Sequence, residues 1–540
     1  MSVIRVMGTE TEYGIHAPSD PLANSTVLSS QIINAYASTV RGGMGNLAGT
    51  KWDYTDEEPL HDARGWSVSR ENADPSQLTD QPPVLDAEQI AMAGGRPPSS
   101  EFYSEDAGSG GVLMNMVLSN GARLYVDHAH PEYSSPEVTS PRDGVLWDKA
   151  GDVVVLHALR RIARMPGFAP VNVYKNNTDN KSVSYGAHEN YLMPRSVPFG
   201  NIVTGLIPFF VSRQVICGSG RVGLGAMGKH GGYQISQRAD FFEAEVGLET
   251  TIRRPIVNTR DEPHAVAEKY RRLHVIIGDA NLSEISTYLR LGTTALVLSM
   301  IEHGEAPRIE LQEPVQSLQA ISHDPSLQQK VALKDGSMVT GLDLQEMYLE
   351  AAREHSAKHG QDHGQTADVL NRWGALLDTL RREPMDAAAQ VDWVAKLKLL
   401  QAYRDRDSLE WSDARLGLID LQYADVRPEK GLYHRLAARG KMERLFTDEQ
   451  IAAAVTEPPH DTRAYFRGKC IERFPAEVVG ASWDSVIFDL PSRRKLQRIP
   501  TREPLRGTRE LTGPLFDQAA SAEEFISALL GPESGPDVAR

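Results

Sequence analysis

Four short segments of the chain place polar or ionisable side chains two residues apart: Glu10 with Glu12, Arg123 with Tyr125 and Asp127, His188 with Asn190, and Arg272 with His274. In a strand, residues two apart share a face. Each segment therefore predicts a strand with one polar side. One such strand would be unremarkable, because an antiparallel sheet normally turns one side to water. Four of them, carrying acids, imidazoles and arginines, argue for a single polar face shared on one sheet. Four separate solvated faces are the plainer alternative.

The chemistry of the set weighs against that alternative. Glu10, Glu12 and Glu132 offer the hard oxygens Mg²⁺ prefers, and Mg²⁺ usually keeps waters and substrate phosphates as further ligands. Arg123 and Arg272 can neutralise phosphate, while His188 and His274 can ligate metal or donate to a phosphoryl oxygen. The set reads as a metal–nucleotide cradle built on a curved sheet. Competing motifs fail. Gly218-x-Gly220-x-x-Gly223 has the spacing of a dinucleotide loop, but Gly225, Gly228, Gly231 and Gly232 follow, so no helix can start there to hold a pyrophosphate. The chain contains no GxxxxGK[ST], GxSxG or HExxH. His128 and His130 form an HxH pair that reads as surface or supporting groups rather than a metal site. Arg213, Arg221, Arg238, Arg253 and Arg254 read mostly as surface arginines, with one or two available for phosphate or a carboxylate.

Around these segments the chain alternates in a strand-like way over residues 2–14, and a helix is expected near Ser29–Tyr36. From Gly42 to about Gly111 it is rich in Gly, Pro, Ser, Asp and Glu, without sustained apolar periodicity, and is expected to be a mobile insertion. Asn120-Gly121 predicts a hairpin turn. Ser182–Leu192, Ile207–Cys217 and Leu273–Ile277 are further strand candidates. A helix is expected from Asn281, with Glu284 three residues on, to Gly304. Val369, Leu370, Trp373, Leu376, Leu377 and Leu380 form one helical stripe and are expected in the core. Pro458-Pro459 marks a boundary, which divides the chain into residues 1–457 and a small C-terminal domain over 458–540.

The 540 residues carry 57 Lys+Arg against 72 Asp+Glu, a net charge of −15, which argues against nucleic-acid binding. Two cysteines cannot build a disulfide framework, which fits a reducing cytoplasm. The N-terminus has no long apolar segment, and the longest apolar stretch, around Thr293–Ile301, is too short to span a bilayer. No membrane association is expected.

Several motifs together resemble the Pup ligase and Pup deamidase/depupylase family. These are Arg5-Val6-Met7-Gly8-Thr9-Glu10-Thr11-Glu12-Tyr13-Gly14, Arg123-Leu124-Tyr125-Val126-Asp127 with His130-Pro131-Glu132-Tyr133-Ser134-Ser135-Pro136-Glu137, Gly186-Ala187-His188-Glu189-Asn190-Tyr191, Arg272-Leu273-His274 with Gly278-Asp279-Ala280-Asn281, and Ala481-Ser482-Trp483-Asp484-Ser485. Pup is a small prokaryotic ubiquitin-like modifier. The resemblance implies an α+β, glutamine synthetase-like fold, a curved antiparallel sheet flanked by helices with a small C-terminal domain. It implies Mg²⁺ ligation by Glu10, Tyr125, Glu132, His188 and His274, and ATP contacts from Arg123, Ser134, Ser135, Asn190, Arg272 and Trp483. Asp127 matches the catalytic aspartate. The insertion after Arg41 resembles that of the hydrolytic branch, which deamidates C-terminal glutamine of Pup and cleaves the Pup–lysine isopeptide bond. Pup and pupylated proteins are then the expected partners. Pup ligase and a non-catalytic, nucleotide-gated Pup-binding adaptor are the alternatives.

Overall fold

A computed structural model describes residues 3–20, 22–40, 50–80, 85–93, 112–166, 168–179, 183–361 and 363–530. Its centre is a six-stranded sheet. In spatial order the strands are Tyr270–Val275, Ala187–Pro194, Met7–Glu12, His130–Ser134, Arg123–Asp127 and Asn115–Val117. Every neighbouring pair is antiparallel. The Asn120-Gly121 turn, with Gly121 at φ +81°, joins the last two strands as expected.

One face of the sheet is apolar. Leu124, Val126, Tyr133, Ala187, Tyr191, Leu273 and Val275 are buried in the main core. Helices Ser25–Val40, Pro141–Ile162 and Glu284–Glu302 cover that face. Each fully buried Leu, Val or Ile here contributes roughly 1.5–3 kcal/mol relative to exposure. The approach of helix to sheet is close: a Cβ on Gly151 would lie 2.4 Å from the Tyr133 ring, so a glycine is required there. Helix Gly364–Arg382 buries the stripe from Val369 to Leu380. With this face sealed, the other face is left for chemistry.

Three expectations are corrected. Ile207–Cys217 is not a strand but the buried end of helix Phe199–Cys217. That helix is long and apolar enough to cross a membrane by composition, and here it is a core helix. A short apolar run cannot be assigned by periodicity when all its sides are buried. The helix expected from Asn281 starts at Glu284, capped by Ser283, whose side chain accepts from Ser286 N; Asn281 instead donates to Cys217 O and Asp392. Third, residues 50–80 of the expected mobile insertion are structured. Lys51–Trp52 pairs in parallel with Val478–Ala481, His61–Asp62 pairs with Trp66–Ser67, and Pro75–Gln77 forms a 3₁₀ turn capped by Asp74. The parts over 41–49, 81–84 and 94–111 lie outside the described residues, as does the tail from 531.

Residues 463–530 gather around a second apolar cluster of Phe466, Phe474, Phe488, Phe516 and Phe525, with Phe516 and Phe525 stacked at 4.5 Å. Strands Val478–Ala481, Ser485–Phe488 and Gln497–Pro500 complete this unit.

Candidate active site

Strand register aligns the polar positions in rows. Glu10 lies opposite His188 on one side and Ser134 on the other, and Ser134 lies opposite Arg123. In the next row Glu12 lies opposite Glu132, which lies opposite Tyr125; Asn190 lies opposite His274. These side chains meet in a cavity of about 340 Å³ lined by Glu10, Arg123, Tyr125, Asp127, Glu132, Ser134, His188, Arg272, His274 and Trp483. A smaller pocket of about 70 Å³ adjoins it, where Ser135 and Asn190 join Gly8, Leu192 and Trp483. All twelve expected site residues thus border two contiguous spaces.

Glu10 is the hub of one half. Its carboxylate meets His188 Nδ1 at 3.0 Å, accepts from Asn190 Nδ2 at 2.8 Å and lies 3.5 Å from His274 Nε2. Arg272 donates to Asn190 Oδ1 at 2.7 Å and to Glu262 at 3.1 Å. Burial opposes ionisation of Glu10, but His188, hydrogen-bonded to it, and the nearby His274 overcome it and hold the carboxyl well below the usual range. Burial pushes His274 down to about 3, with Arg272 adding to the effect, so the ring is neutral. A neutral imidazole is the ligating form.

The other half is acidic. Ligand oxygens of Glu12, Asp127 and Glu132 lie within 4.8 Å of one another. Burial, then the charges of Asp127, Glu12 and Glu10, push Glu132 well above the ordinary carboxylate range. Glu12 goes the other way, to about 2: burial would raise it, but His130 beside it at 3.3 Å outweighs that. Glu12 also accepts from Gly186 N at 2.7 Å. His128 turns to Asp127 and His130 to Glu12, so the two do not share a ligand position.

This donor set fits a divalent cation. Ligand atoms of Glu10, His188 and His274 lie within 4.8 Å of one another, and neither nitrogen of the buried His274 ring has a hydrogen-bond partner among the described residues. Glu132 faces three other carboxylates, a repulsion that a bound dication would relieve.

Arg123 is clamped between aromatic faces, its guanidinium 3.9 Å from the Tyr125 ring and 4.0 Å from Trp52. Trp52 meets Trp483 edge-on at 5.1 Å. Tyr54 OH accepts from Arg123 at 3.2 Å, and Trp52 Nε1 donates to Glu57 at 2.9 Å. Burial, then Glu262, raises Glu57 to about 7. The insertion reaches the catalytic candidate as well. His128 Nδ1 lies 2.8 Å from Asp127 Oδ2, and its Nε2 donates to Ser76 O at 3.0 Å. Sequence reasoning missed Trp52, Tyr54, Glu57 and Ser76. The Trp52-x-Tyr54 alternation was an available signal, hidden by the Gly- and Pro-rich text around it.

The arginine reading is also corrected. Arg213, Arg221, Arg238 and Arg254 are buried rather than on the surface. Arg213 forms a two-pronged pair with Glu189 in the core, while Arg238 and Arg254 donate to backbone carbonyls. None of the four lines the main cavity; Arg260 does, and its Nε and Nη2 are buried without hydrogen-bond partners among the described residues.

Fold and site together define an α+β protein of the glutamine synthetase-like class, with an antiparallel sheet bearing a carboxylate, imidazole and arginine cradle. The chain belongs to the Pup-ligase protein family, whose description matches residues 5–487. It is 56% identical over 530 residues to the depupylase of Acidothermus cellulolyticus, covering 98% of this chain and 99% of that one. It is 53% identical to the Pup deamidase/depupylase of Mycobacterium tuberculosis, covering 97% and 99%. Among solved structures, the complex between Pup and its ligase PafA matches with a TM-score of 0.73 at 29% identity, over 98% of this chain and 94% of that one. PafA in complex with ADP matches with a TM-score of 0.67 at 34% identity, over 80% and 93%.

Proposed function

We propose that this protein deamidates the C-terminal glutamine of Pup to glutamate and hydrolyses the isopeptide bond between Pup and a target lysine. The observation that carries this reading is identity above half, over nearly the whole chain, with relatives named for those two activities. Likeness to PafA in complex with ADP supports a bound nucleotide, and likeness to PafA in complex with Pup supports Pup and pupylated proteins as partners.

Glu10, Tyr125, Glu132, His188 and His274 would hold Mg²⁺, and Arg123, Ser134, Ser135, Asn190, Arg272 and Trp483 the nucleotide, which stays bound rather than being consumed. When bound, the metal would supply positive field at the amide carbonyl, and metal and phosphates together would order the site. Asp127 works on that carbonyl, as nucleophile or as base to a water. Either way one water is consumed: its oxygen ends on the carbonyl carbon, the C–N bond breaks, and ammonia or the lysine amine leaves with the proton. His128 fixes the Asp127 carboxylate from the side of the insertion. The two cysteines are free and buried, in keeping with a cytoplasmic setting.

The test is incubation with ATP, Mg²⁺ and Pup ending in glutamine, followed by mass spectrometry for the gain of about one dalton, beside a pupylated substrate scored for release of Pup. ATP-dependent attachment of glutamate-ended Pup to a lysine protein, without deamidation, would make the chain a ligase. Pup binding without either reaction would make it an adaptor.

A further inference from the structure

Away from the sheet, three histidines and a glutamate converge where two helices end. Helix Glu284–Glu302 is capped by His303, and helix Gly341–Lys358 by His359. Gly304, at φ +69°, turns the chain so that Glu305 returns toward the second helix. His355 and His359 are four residues apart and lie on one helical face. Ligand atoms of Glu305, His355 and His359 lie within 4.8 Å of one another. Glu305 is 2.5 Å from His355 Nδ1 and 3.1 Å from His359 Nε2. The His303 ring sits over both, with centroids 4.5 Å from His359 and 5.1 Å from His355.

Supporting groups orient these rings as metal ligands are oriented. The far nitrogen of His355, Nε2, is held by Ser299 Oγ at 2.9 Å, which leaves Nδ1 to face Glu305. His303 Nδ1 donates to Ser299 O at 2.8 Å, so its Nε2 carries the lone pair. One serine thus orients two imidazoles, His355 with Nδ1 toward Glu305 and His303 with Nε2 left as its lone-pair nitrogen.

We propose that Glu305, His355 and His359 form a zinc site that ties together the ends of these two helices, with the adjacent His303 ring turning in as the fourth ligand. Three imidazole nitrogens and one carboxylate oxygen suit tetrahedral Zn²⁺. Bonds of about 2.0–2.2 Å place ligand atoms roughly 3.3 Å apart, so Glu305 and His355 must separate by less than about 1 Å from their present hydrogen bond. None of the four lines the active-site cavity. His355 is buried, Glu305 and His359 are half-buried, and His303 is exposed, so the cluster can be reached from solvent. Lys358 is the competitor: its ammonium pairs with Glu305, but the side chain is 66% exposed and can swing into water. The role is structural, a clamp remote from the reaction.

The test uses the full-length protein with Mg²⁺ and ATP in excess to occupy the active-site cradle. Zn²⁺ bound per chain is counted after equilibrium dialysis, and Co²⁺ serves as a spectroscopic probe. The expected result is one Zn²⁺ per chain, a tetrahedral Co²⁺ spectrum and a Zn²⁺-dependent rise in melting temperature. All three are lost in His359→Ala and Glu305→Gln, which keep nucleotide-dependent activity, while His274→Ala retains the zinc. Lys358→Ala, freed of the competing ammonium, binds Zn²⁺ several-fold more tightly. No Zn²⁺ on the wild type, or an undiminished count in His359→Ala, overturns the proposal.

Discussion

Glu137 ties the sheet to the C-terminal unit, and removing its charge should loosen that junction by a calculable amount. Its carboxylate accepts from Arg463 Nε at 2.8 Å and from both terminal nitrogens of Arg467, whose side chain is 1% exposed. Arg467 also donates to Trp483 O and lies under the Trp483 ring. Burial alone would raise the Glu137 pKa, but the two arginines bring it from 4.5 to about 2. At about 1.36 kcal/mol per pH unit, that shift corresponds to about 3 kcal/mol at neutral pH, close to the 3–5 kcal/mol typical of breaking a buried pair. Glu137→Gln should therefore speed amide exchange in 463–473 by roughly 10²-fold at pH 7, if that helix exchanges by opening of the junction. The sign of the pH dependence follows. A depressed carboxyl pKa stabilises above the unfolded value of 4.5, and the contribution is lost as pH falls through about 2. The gap between wild type and variant should shrink by about 1.4 kcal/mol between pH 7 and pH 3.5. Unchanged exchange in the variant, or a gap independent of pH, would refute the reasoning.

Glu132→Gln removes one of four crowded carboxylates, so the metal-free variant should melt no lower than wild type yet lose the stabilisation that Mg²⁺ gives; a lower melting point without metal contradicts the repulsion described for this site. His128 is pushed to about 10, first by the Asp127 charge, against an ordinary 6.5. A raised pKa stabilises fully below 6.5 and fades as pH rises through 10, so the stability difference between wild type and His128→Gln should narrow over that range; a constant difference rules the pair out. Trp483→Ala should weaken ADP binding roughly tenfold by calorimetry, from an aromatic contact worth about 1–1.5 kcal/mol. Unaltered affinity would place Trp483 outside the nucleotide site.

The polar face was legible because strand periodicity is two: Glu10, Arg123, His188 and Arg272 announce it before any partner is known. Antiparallel register then carries those positions into common rows. Ile207–Cys217 was illegible because that part of its helix is buried on all sides and has no polar face to betray its period. The buried arginines were misread because their partners, Glu189 and the Ile276–Gly278 carbonyls, lie far away in sequence. Trp52 and Ser76 join the site through contacts with Trp483 and His128, separations that no local pattern encodes.

The central claim is that Asp127 performs amide hydrolysis in a cradle whose other residues hold metal and nucleotide. It is tested most directly by comparing wild type and Asp127→Ala for ADP affinity and for conversion of glutamine-ended Pup in the same preparation. The account predicts ADP binding within a few-fold of wild type and loss of the one-dalton product. Deamidation at the wild-type rate by Asp127→Ala would contradict it.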